Sequence, residues 1–390
     1  MLKRTMKPYW LVAATFLLLL AAFDSASAGV FRTLYSFGGE GAGRNPVGAL
    51  LVDNSGNIYG TTPYPGGGTA YKLSPRTGAT VLARFRGVHG KWPVAGVIAD
   101  TDGNLYGTTE DGGVPSQFCK HGCGTVFRIT PDGTETVLYS FKGNDGAGPY
   151  VGNGLVMDDL GNLYGNTRSG GVGAGTVFKL TPSGVETVLH SFQGGDDGVY
   201  PVGSPIMDAD GNLYGTTESG GASDQGIVFK ISPDGTETIL HSFAGVDGYL
   251  PYSGLTMDSQ GNLFGTTFLG GAYSRGNVFK LSPDGKETQL YEFRGGSDGA
   301  NPESGLVLDD SGNLYGVANG GSGTGCNNSG CGVVFKVSPN GKERVLHTFQ
   351  GALPNGWYPN SPLTLYKGNL YGTTDTGGAN YAGTVFRLKP

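Results

Sequence analysis

The chain has 390 residues, of which 73 are glycine and 21 are proline, and its formal net charge is −6. An acidic chain whose Lys and Arg residues are scattered, without a basic cluster, is not expected to bind nucleic acid. Because Leu, Val and Phe recur throughout, the glycine content indicates dense turns in a folded domain and excludes low-complexity disorder.

Residues 1–28 have the pattern of a secretory signal peptide. Three basic residues precede the apolar stretch Leu11 to Phe23, and Ala26 to Ala28 supply the small residues of a cleavage site. The apolar stretch is shorter than the roughly 20 residues of a transmembrane helix, so no membrane span is expected after cleavage. We therefore expect a secreted or periplasmic protein whose folded domain comprises residues 29–390.

The pentapeptide Gly-Asn-Leu-Tyr-Gly and its close variants recur seven times, beginning at Gly56, Gly103, Gly161, Gly211, Gly261, Gly312 and Gly368. Each copy predicts four short strands, A to D, separated by Gly, Pro, Asp and Ser turns; in the third copy these span residues 154–158, 162–166, 176–181 and 186–192. A period of about 50 residues built from short strands is typical of propeller blades. Adjacent apolar pairs such as Val177 and Phe178 predict that both faces of each blade are covered.

The two ends of the chain predict how the ring closes. The seventh copy stops at its strand C, Thr384 to Arg387, whereas Val30 to Phe37 (VFRTLYSF) resembles a strand D with no partner strands before it. Together the two fragments complete one blade and remove open sheet edges. The sequence thus predicts an all-β, seven-bladed β-propeller of four-stranded blades, closed by the N-terminal strand.

The four cysteines lie in equivalent loops between strands B and C of blades two and six. Cys119 and Cys123 occupy the first loop, and Cys326 and Cys331 the second. Two local disulfides are expected, since such bonds are common in exported proteins. A zinc site that combines the first pair with His121 is the alternative.

Candidate ligand-binding residues lie on one face. The B–C loops and the connections from strand D to the next strand A all emerge there, and binding residues concentrate on such loops. Aromatic residues adjoin a recurring proline in the D-to-A connections, at the expected mouth of the central channel: Trp92, Tyr150, Tyr200, Tyr252, Trp357 and Tyr358. They suit the apolar face of a sugar, and sealing of the core is the alternative role.

Two further sets of loop residues are candidates for catalysis and for metal binding. A basic group in blades one to three could bind a uronate carboxylate and abstract a proton through a histidine; its members are Arg44, His89, Lys91, Lys120, His121 and Arg168. The alternative is a patch of solvated charges. Acids in the D-to-A connections could hold Ca²⁺, but they also suit ordinary Asp-Gly turns; they are Asp145, Asp196, Asp197, Asp247 and Asp298. We expect no cofactor and no metal, with Ca²⁺ as the alternative.

Two recurring strand positions are interpreted as structural. Strand D holds His190, His241 and His347 where other copies hold tyrosine, which predicts a half-buried aromatic role. Strand C carries one Lys or Arg in every copy. We expect these bases to pair across the strands with strand-D acids such as Glu186 and Glu237.

Long strings such as Gly124 to Phe141 (GTVFRITPDGTETVLYSF) resemble the Gloeo/Verruco ("GloVer") tandem repeat of extracellular bacterial proteins, and the resemblance extends over Val30 to Arg387. It implies an exported protein of unknown activity. The layout is also similar to the propellers of streptogramin lyases and lactonases, whose catalytic His and metal ligands have no counterparts here.

These observations predict a secreted, non-catalytic propeller, a monomer, that binds a carbohydrate or an extracellular protein through the face with the B–C and D-to-A loops. Seven-fold uniformity favours binding, because catalysis needs one or two specifically placed acids or bases. The alternative is an enzyme of the polysaccharide-lyase or lactonase type, with its site in the loops of blades one to three.

Overall fold

The computed structural model describes residues 30–38, 41–150, 152, 154–321, 326, 330–351 and 355–390. These residues form seven four-stranded antiparallel sheets, and their only helices are single 3₁₀ turns at Gly87–His89, Gly195–Asp197 and Gly296–Asp298. The predicted seven-bladed β-propeller is confirmed. The predicted signal peptide lies outside the described residues.

Each blade orders its strands A, B, C and D across the sheet. Blades one to three consist of β2 (Val47–Val52), β3 (Ile58–Thr62), β4 (Thr69–Ser74) and β5 (Gly78–Arg84); β6 (Ile98–Ala99), β7 (Leu105–Thr109), β8 (Thr125–Ile129) and β9 (Glu135–Ser140); and β10 (Val156–Met157), β11 (Leu163–Thr167), β12 (Thr176–Leu180) and β13 (Glu186–Ser191). Blades four and five consist of β14 (Val199–Met207), β15 (Leu213–Ser219), β16 (Ile227–Ile231) and β17 (Glu237–Ser242); and β18 (Thr256–Met257), β19 (Leu263–Thr267), β20 (Asn277–Leu281) and β21 (Glu287–Glu292). Blade six consists of β22 (Val307–Leu308), β23 (Leu314–Ala318), β24 (Val333–Val337) and β25 (Glu343–Thr348), and blade seven of β26 (Thr364–Tyr366), β27 (Asn369–Thr374), β28 (Thr384–Leu388) and β1 (Phe31–Ser36).

Strand A is the innermost strand. The A strands of adjacent blades contact one another, as β10 contacts β14 and β22 contacts β26. The A strands therefore surround the central channel, and the D strands form the outer rim.

The ring closes at the predicted place. Strand β1 pairs antiparallel with β28, so that Phe31 lies opposite Leu388 and Ser36 opposite Thr384. Phe31 also stacks on His347 of blade six, with ring centroids 3.8 Å apart. The N-terminal strand thus completes blade seven and packs against its neighbour.

The repeated pentapeptide is explained by two local contacts. Its second glycine lies under an aromatic ring of strand C: a Cβ on Gly107 would lie 2.6 Å from Cζ of Phe127. The turn before it is fixed by an aspartate, since Asp158 accepts hydrogen bonds from the backbone N–H of Asn162 at 2.8 Å and from the Tyr164 hydroxyl at 3.0 Å. The motif therefore builds the blade, and its recurrence follows from the fold.

The hydrophobic core lies between the blades. The phenylalanine that follows strand D packs edge-to-face on the strand-C ring of the next blade, as Phe141 does on Phe178 with centroids 5.1 Å apart. Both rings are fully buried. Such aromatic pairs contribute about 0.5–1.5 kcal/mol beyond the area that they bury. Each blade is therefore stabilised by its neighbours.

The two predicted disulfides are present, Cys119–Cys123 and Cys326–Cys331. All four cysteines of the chain are disulfide-bonded, so none has a free thiolate to bind zinc in this structure. None of the helices in the described residues is long or apolar enough to cross a membrane.

Candidate functional site

A cavity of about 410 Å³ opens where the A strands meet at one end of the channel. Its walls combine strand-A backbone with side chains from the D-to-A connections and from the ends of strand B. Those segments share one face, as the strand order predicts. The aromatic, charged and amide side chains of the wall are Tyr150, Arg168, Glu218, Tyr252, Glu303 and Asn360, and two serines, Ser204 and Ser253, also line it.

One position at the end of strand B holds six different residue types over the seven blades, with glutamate in blades two and four. The residue that follows the five-residue core of strand B is, in chain order, Pro63, Glu110, Arg168, Glu218, Phe268, Asn319 and Asp375. The neighbouring strand residues hardly change between copies, so this position is not required for the blade to fold. Two of its occupants, Arg168 and Glu218, line the cavity.

The D-to-A connections have a fixed and unusual backbone. The residue before the recurring proline has a left-handed conformation in all seven connections, with φ between 56° and 60° at Asn45, Trp92, Gly148, Tyr200, Leu250, Asn301 and Tyr358. This conformation costs a non-glycine residue about 1–3 kcal/mol, and it persists only where the surroundings impose it. Here a backbone hydrogen bond holds it, as from the N–H of Tyr200 to the carbonyl of Ala174 at 2.9 Å. The loops that carry the cavity residues are therefore preorganised.

Arg168 is the centre of a polar and aromatic cluster that joins blades three and four. Its Nη2 donates to Oε2 of Glu218 at 2.7 Å. The guanidinium lies over the rings of Tyr150 and Tyr200, 4.8 and 4.6 Å from their centroids. Such cation–π contacts contribute about 0.5–2 kcal/mol each, depending on solvation. Arg168 therefore orients two rings and one carboxylate at the channel mouth.

The cavity wall carries more acid than base. The Tyr252 hydroxyl donates to Oε1 of Glu218 at 3.4 Å, and burial together with that carboxylate raises the pKa of Tyr252 to about 12. Across the mouth, Asn319 donates to Glu303, and burial raises the pKa of the Glu303 carboxyl. The lining contains two acids, Glu218 and Glu303, and one base, Arg168. It therefore favours neutral or cationic ligand groups over carboxylates.

The predicted aromatic residues divide between two environments. Tyr150 and Tyr252 line the cavity, and Tyr200 supports Arg168. Trp357 and Tyr358 instead pack against the core between blades six and seven. Trp92 is half-buried in its connection and is not among the described residues of the cavity wall.

The structure does not bring the predicted basic group together around one cavity. His89 contacts the strand-D residue Glu135, with Nδ1 2.7 Å from Oε2, and Lys91 lies 3.6 Å from Asp111. The remaining members, apart from Arg168, are exposed loop residues: Arg44, Lys120 and His121. Arg168 is the member of this group that lines the channel cavity.

The acids considered as calcium ligands lie mainly at the outer junctions between blades. Each of four contacts the Tyr or His of strand D: Tyr139 with Asp145 at 2.6 Å, His190 with Asp197 at 3.0 Å, His241 with Asp247 at 2.9 Å and Tyr291 with Asp298 at 2.7 Å. The fifth, Asp196, is exposed. These contacts tie the connection to the rim of the preceding blade.

A half-buried glutamate of the next blade completes each of these junctions. Burial is the main cause that raises the pKa of this glutamate, and the junction aspartate beside it is the second. The pKa is about 7 for Glu186, Glu287 and Glu343 and about 8 for Glu237. The expected pairing of such glutamates with the strand-C bases was wrong. Lys179, for example, lies over the strand-B ring of Tyr164, 5.5 Å from its centroid, because residues opposite each other in the sheet share a face.

Sequence reasoning missed Glu218, Glu303 and Asn360. The sequence did contain a signal that could have found them. Two positions vary between otherwise uniform copies, the one after strand B and the one after the recurring proline. Glu218 occupies the first position, and Glu303 and Asn360 the second. Aromatic character, which guided the prediction, selects only part of this set.

Fold and site together define an all-β propeller whose channel mouth is lined by residues that differ from blade to blade. The Gloeobacter/Verrucomicrobia repeat model matches residues 21–171, 65–262, 113–328 and 257–390. The chain therefore belongs to this repeat family. No curated protein matches the sequence.

Several solved structures share the fold. Virginiamycin B lyase from Staphylococcus aureus is 14% identical, with a TM-score of 0.63 over 93% of this chain and 99% of that one. Oligogalacturonate lyase from Vibrio parahaemolyticus is 13% identical, with a TM-score of 0.57 over 93% and 97%. PorZ, a surface component of the type-IX secretion system of Porphyromonas gingivalis, is 14% identical, with a TM-score of 0.54 over 91% and 48%. At these identities the likeness concerns the fold alone.

Proposed function

We propose that this protein is an exported propeller that binds a carbohydrate, without catalysis, in the cavity at its channel mouth. The observation that carries the proposal is that Tyr150 and Tyr252 line one preorganised cavity together with Arg168, Glu218 and Glu303. Sugars combine an apolar face with a rim of hydroxyl groups, which aromatic rings and fixed polar groups complement. The cavity volume of about 410 Å³ falls in the range that holds small ligands.

The charge of the wall narrows the ligand class. A uronate would place its carboxylate near Glu218 and Glu303, and the cation that would attract it, Arg168, is already bonded to Glu218. A neutral sugar avoids this repulsion. We therefore propose neutral oligosaccharides as ligands.

The proposed role is binding because the carboxylates of the wall already have partners. Glu218 is bonded by Arg168 and Tyr252, and Glu303 by Asn319. Such bonds fix the carboxylates in place, as the orientation of a bound ligand requires. The disulfides and the predicted signal peptide support export, since such bonds persist in oxidising compartments.

A glycan array of neutral and acidic oligosaccharides, followed by calorimetric titration of the hits, tests the proposal. Tyr252→Val and Tyr150→Val should each weaken binding by about tenfold or more. Valine suits this position, because Val94 and Val202 follow the recurring proline in other blades. Tyr273→Val, which removes an exposed ring from a B–C loop, is the matched control and should bind like the parent.

Two results would contradict the proposal. If both valine variants bind the glycan as tightly as the parent does, the cavity is not the binding site. Release of unsaturated uronate products by the parent would instead support the lyase-type enzyme.

A further inference from the structure

Three side chains with metal-ligating atoms converge at the outer junction between blades three and four. His190 lies on β13, Asp197 ends the 3₁₀ turn Gly195–Asp197, and Glu237 begins β17. Their ligand atoms all lie within 4.8 Å of one another. Nε2 of His190 is 3.0 Å from Oδ1 of Asp197 and 3.9 Å from Oε2 of Glu237.

We propose that His190, Asp197 and Glu237 form a binding site for a divalent transition metal ion, with Zn²⁺ as the best fit. Neighbouring ligand atoms of a tetrahedral Zn²⁺ site lie about 3.4 Å apart, because Zn–N and Zn–O distances are about 2.0–2.2 Å. The observed separations of 3.0 and 3.9 Å bracket this value. One imidazole and two carboxylates form a donor set that Zn²⁺ accepts, with water as the fourth ligand.

The surroundings orient these ligands. The second oxygen of Asp197, Oδ2, accepts a hydrogen bond from the backbone N–H of Gln193 at 2.5 Å, which fixes the carboxylate with Oδ1 toward the imidazole. The His190 ring packs edge-to-face on the buried ring of Phe192 at 4.7 Å. Such support is typical of metal ligands, which need a fixed orientation.

Charge favours a cation at this position. The side chains of His190, Asp197 and Glu237 are only 16%, 21% and 13% exposed. Oε1 of Glu237 is buried without a hydrogen-bond partner among the described residues, as is Oε1 of the equivalent Glu186, Glu287 and Glu343, so this oxygen does not distinguish the junction. A divalent cation that both side chains bind as carboxylates would neutralise their charges.

The repeat imposes the three positions but not the histidine. Two equivalent junctions hold a tyrosine in place of the histidine, Tyr139 beside Asp145 and Tyr291 beside Asp298. A neutral phenol is a poor metal ligand. Among the described residues, the three ligand atoms at the blade three–four junction all lie within 4.8 Å of one another. One blade further, His241 contacts Asp247 at 2.9 Å and Glu287 lies beside Asp247, but these three residues do not form such a close group.

The test uses full-length mature protein, produced without a histidine tag and treated with a chelator. Calorimetric titration with Zn²⁺ should give one site per chain, and Co²⁺ should give the visible absorption bands of a tetrahedral complex. His190→Tyr should weaken Zn²⁺ binding by more than about 100-fold, which exceeds the usual loss on removal of an outer-shell group. The substitution keeps the fold, since Tyr139 and Tyr291 occupy the same position in other blades.

His241→Tyr is the matched control, because it makes the same change one junction further along the ring. It should leave the stoichiometry and the Zn²⁺ affinity unchanged. The proposal is overturned if the parent binds neither ion, or if His190→Tyr binds Zn²⁺ as tightly as the parent does.

Discussion

The outer junctions and the channel mouth use the same repeat in opposite ways. At the rim, successive blades repeat one contact, a strand-D Tyr or His on an aspartate with a glutamate of the next blade beside it. At the mouth, the equivalent positions after strand B hold residues as different as Arg168, Glu218 and Phe268. Repeated residues therefore hold the ring together, whereas residues that diverge between copies lie where a ligand would be recognised.

The largest expected effect on folding is that of removing the closing strand β1, which lies at the rim. Deletion of residues 29–37 leaves the edge of β28 unpaired and removes Phe31, one of the rings that pack on Phe386. Open edges of this kind favour aggregation. We expect an aggregated or poorly folded product by size-exclusion chromatography. A monomer with parental melting behaviour would show that the closing strand is dispensable.

The second-largest effect is expected from a substitution in the core between blades, which should destabilise the protein more than one at the channel mouth. Phe229 is fully buried and packs on Phe192 at 5.2 Å, so Phe229→Ala should lower the free energy of unfolding by about 3–5 kcal/mol. Tyr252→Val at the mouth should change it by less than about 1 kcal/mol. Calorimetric melting of the two variants compares them. Equal losses would mean that the mouth is as structural as the core.

The left-handed connection offers a smaller and more specific change. Tyr200→Gly should relieve backbone strain of about 1 kcal/mol while it removes one ring from Arg168, and Gly148 shows that glycine suits the position. We expect unchanged or slightly higher thermal stability with weaker glycan binding. A strong loss of stability would assign Tyr200 to the core instead.

The smallest expected effect is on the pH dependence of the rim. Burial and then Asp145 raise the pKa of Glu186 from an ordinary 4.5 to about 7, so the folded state retains a proton that the unfolded state loses. Its contribution to stability is therefore present below about pH 4.5 and decreases as the pH rises to about 7. Glu186→Gln should flatten this part of the melting-temperature profile. An unchanged profile between pH 4.5 and 8 would contradict the raised pKa.

Much of the fold could be predicted because each signal occurs seven times. One copy of Asn162-Leu163-Tyr164-Gly165 is weak evidence, but seven copies define the blades, and the unmatched strand at Val30 to Phe37 defines the closure. The cysteine pairs followed from equivalent loop positions.

The candidate site was less predictable because the cavity forms where several blades meet across the channel. No local pattern shows that Glu303 of blade six faces the same cavity as Tyr150, which precedes blade three. The partner of Glu186 was missed for a similar reason. Its neighbour, Asp145, belongs to the connection from the preceding blade, whereas strand alternation describes contacts within one sheet.

The pairing of Phe31 with Leu388 also has a kinetic consequence. Every other strand pair joins segments close in sequence, but this one requires the two ends of the chain to meet, and loop-closure entropy grows with the length of the loop. Blades one to six can therefore form as local units in any order, while blade seven must wait for the whole chain. A circular permutant that joins the native ends and instead opens a connection between strand D of one blade and strand A of the next would convert this long-range step into a hairpin-like one, and it should fold faster than the natural connectivity.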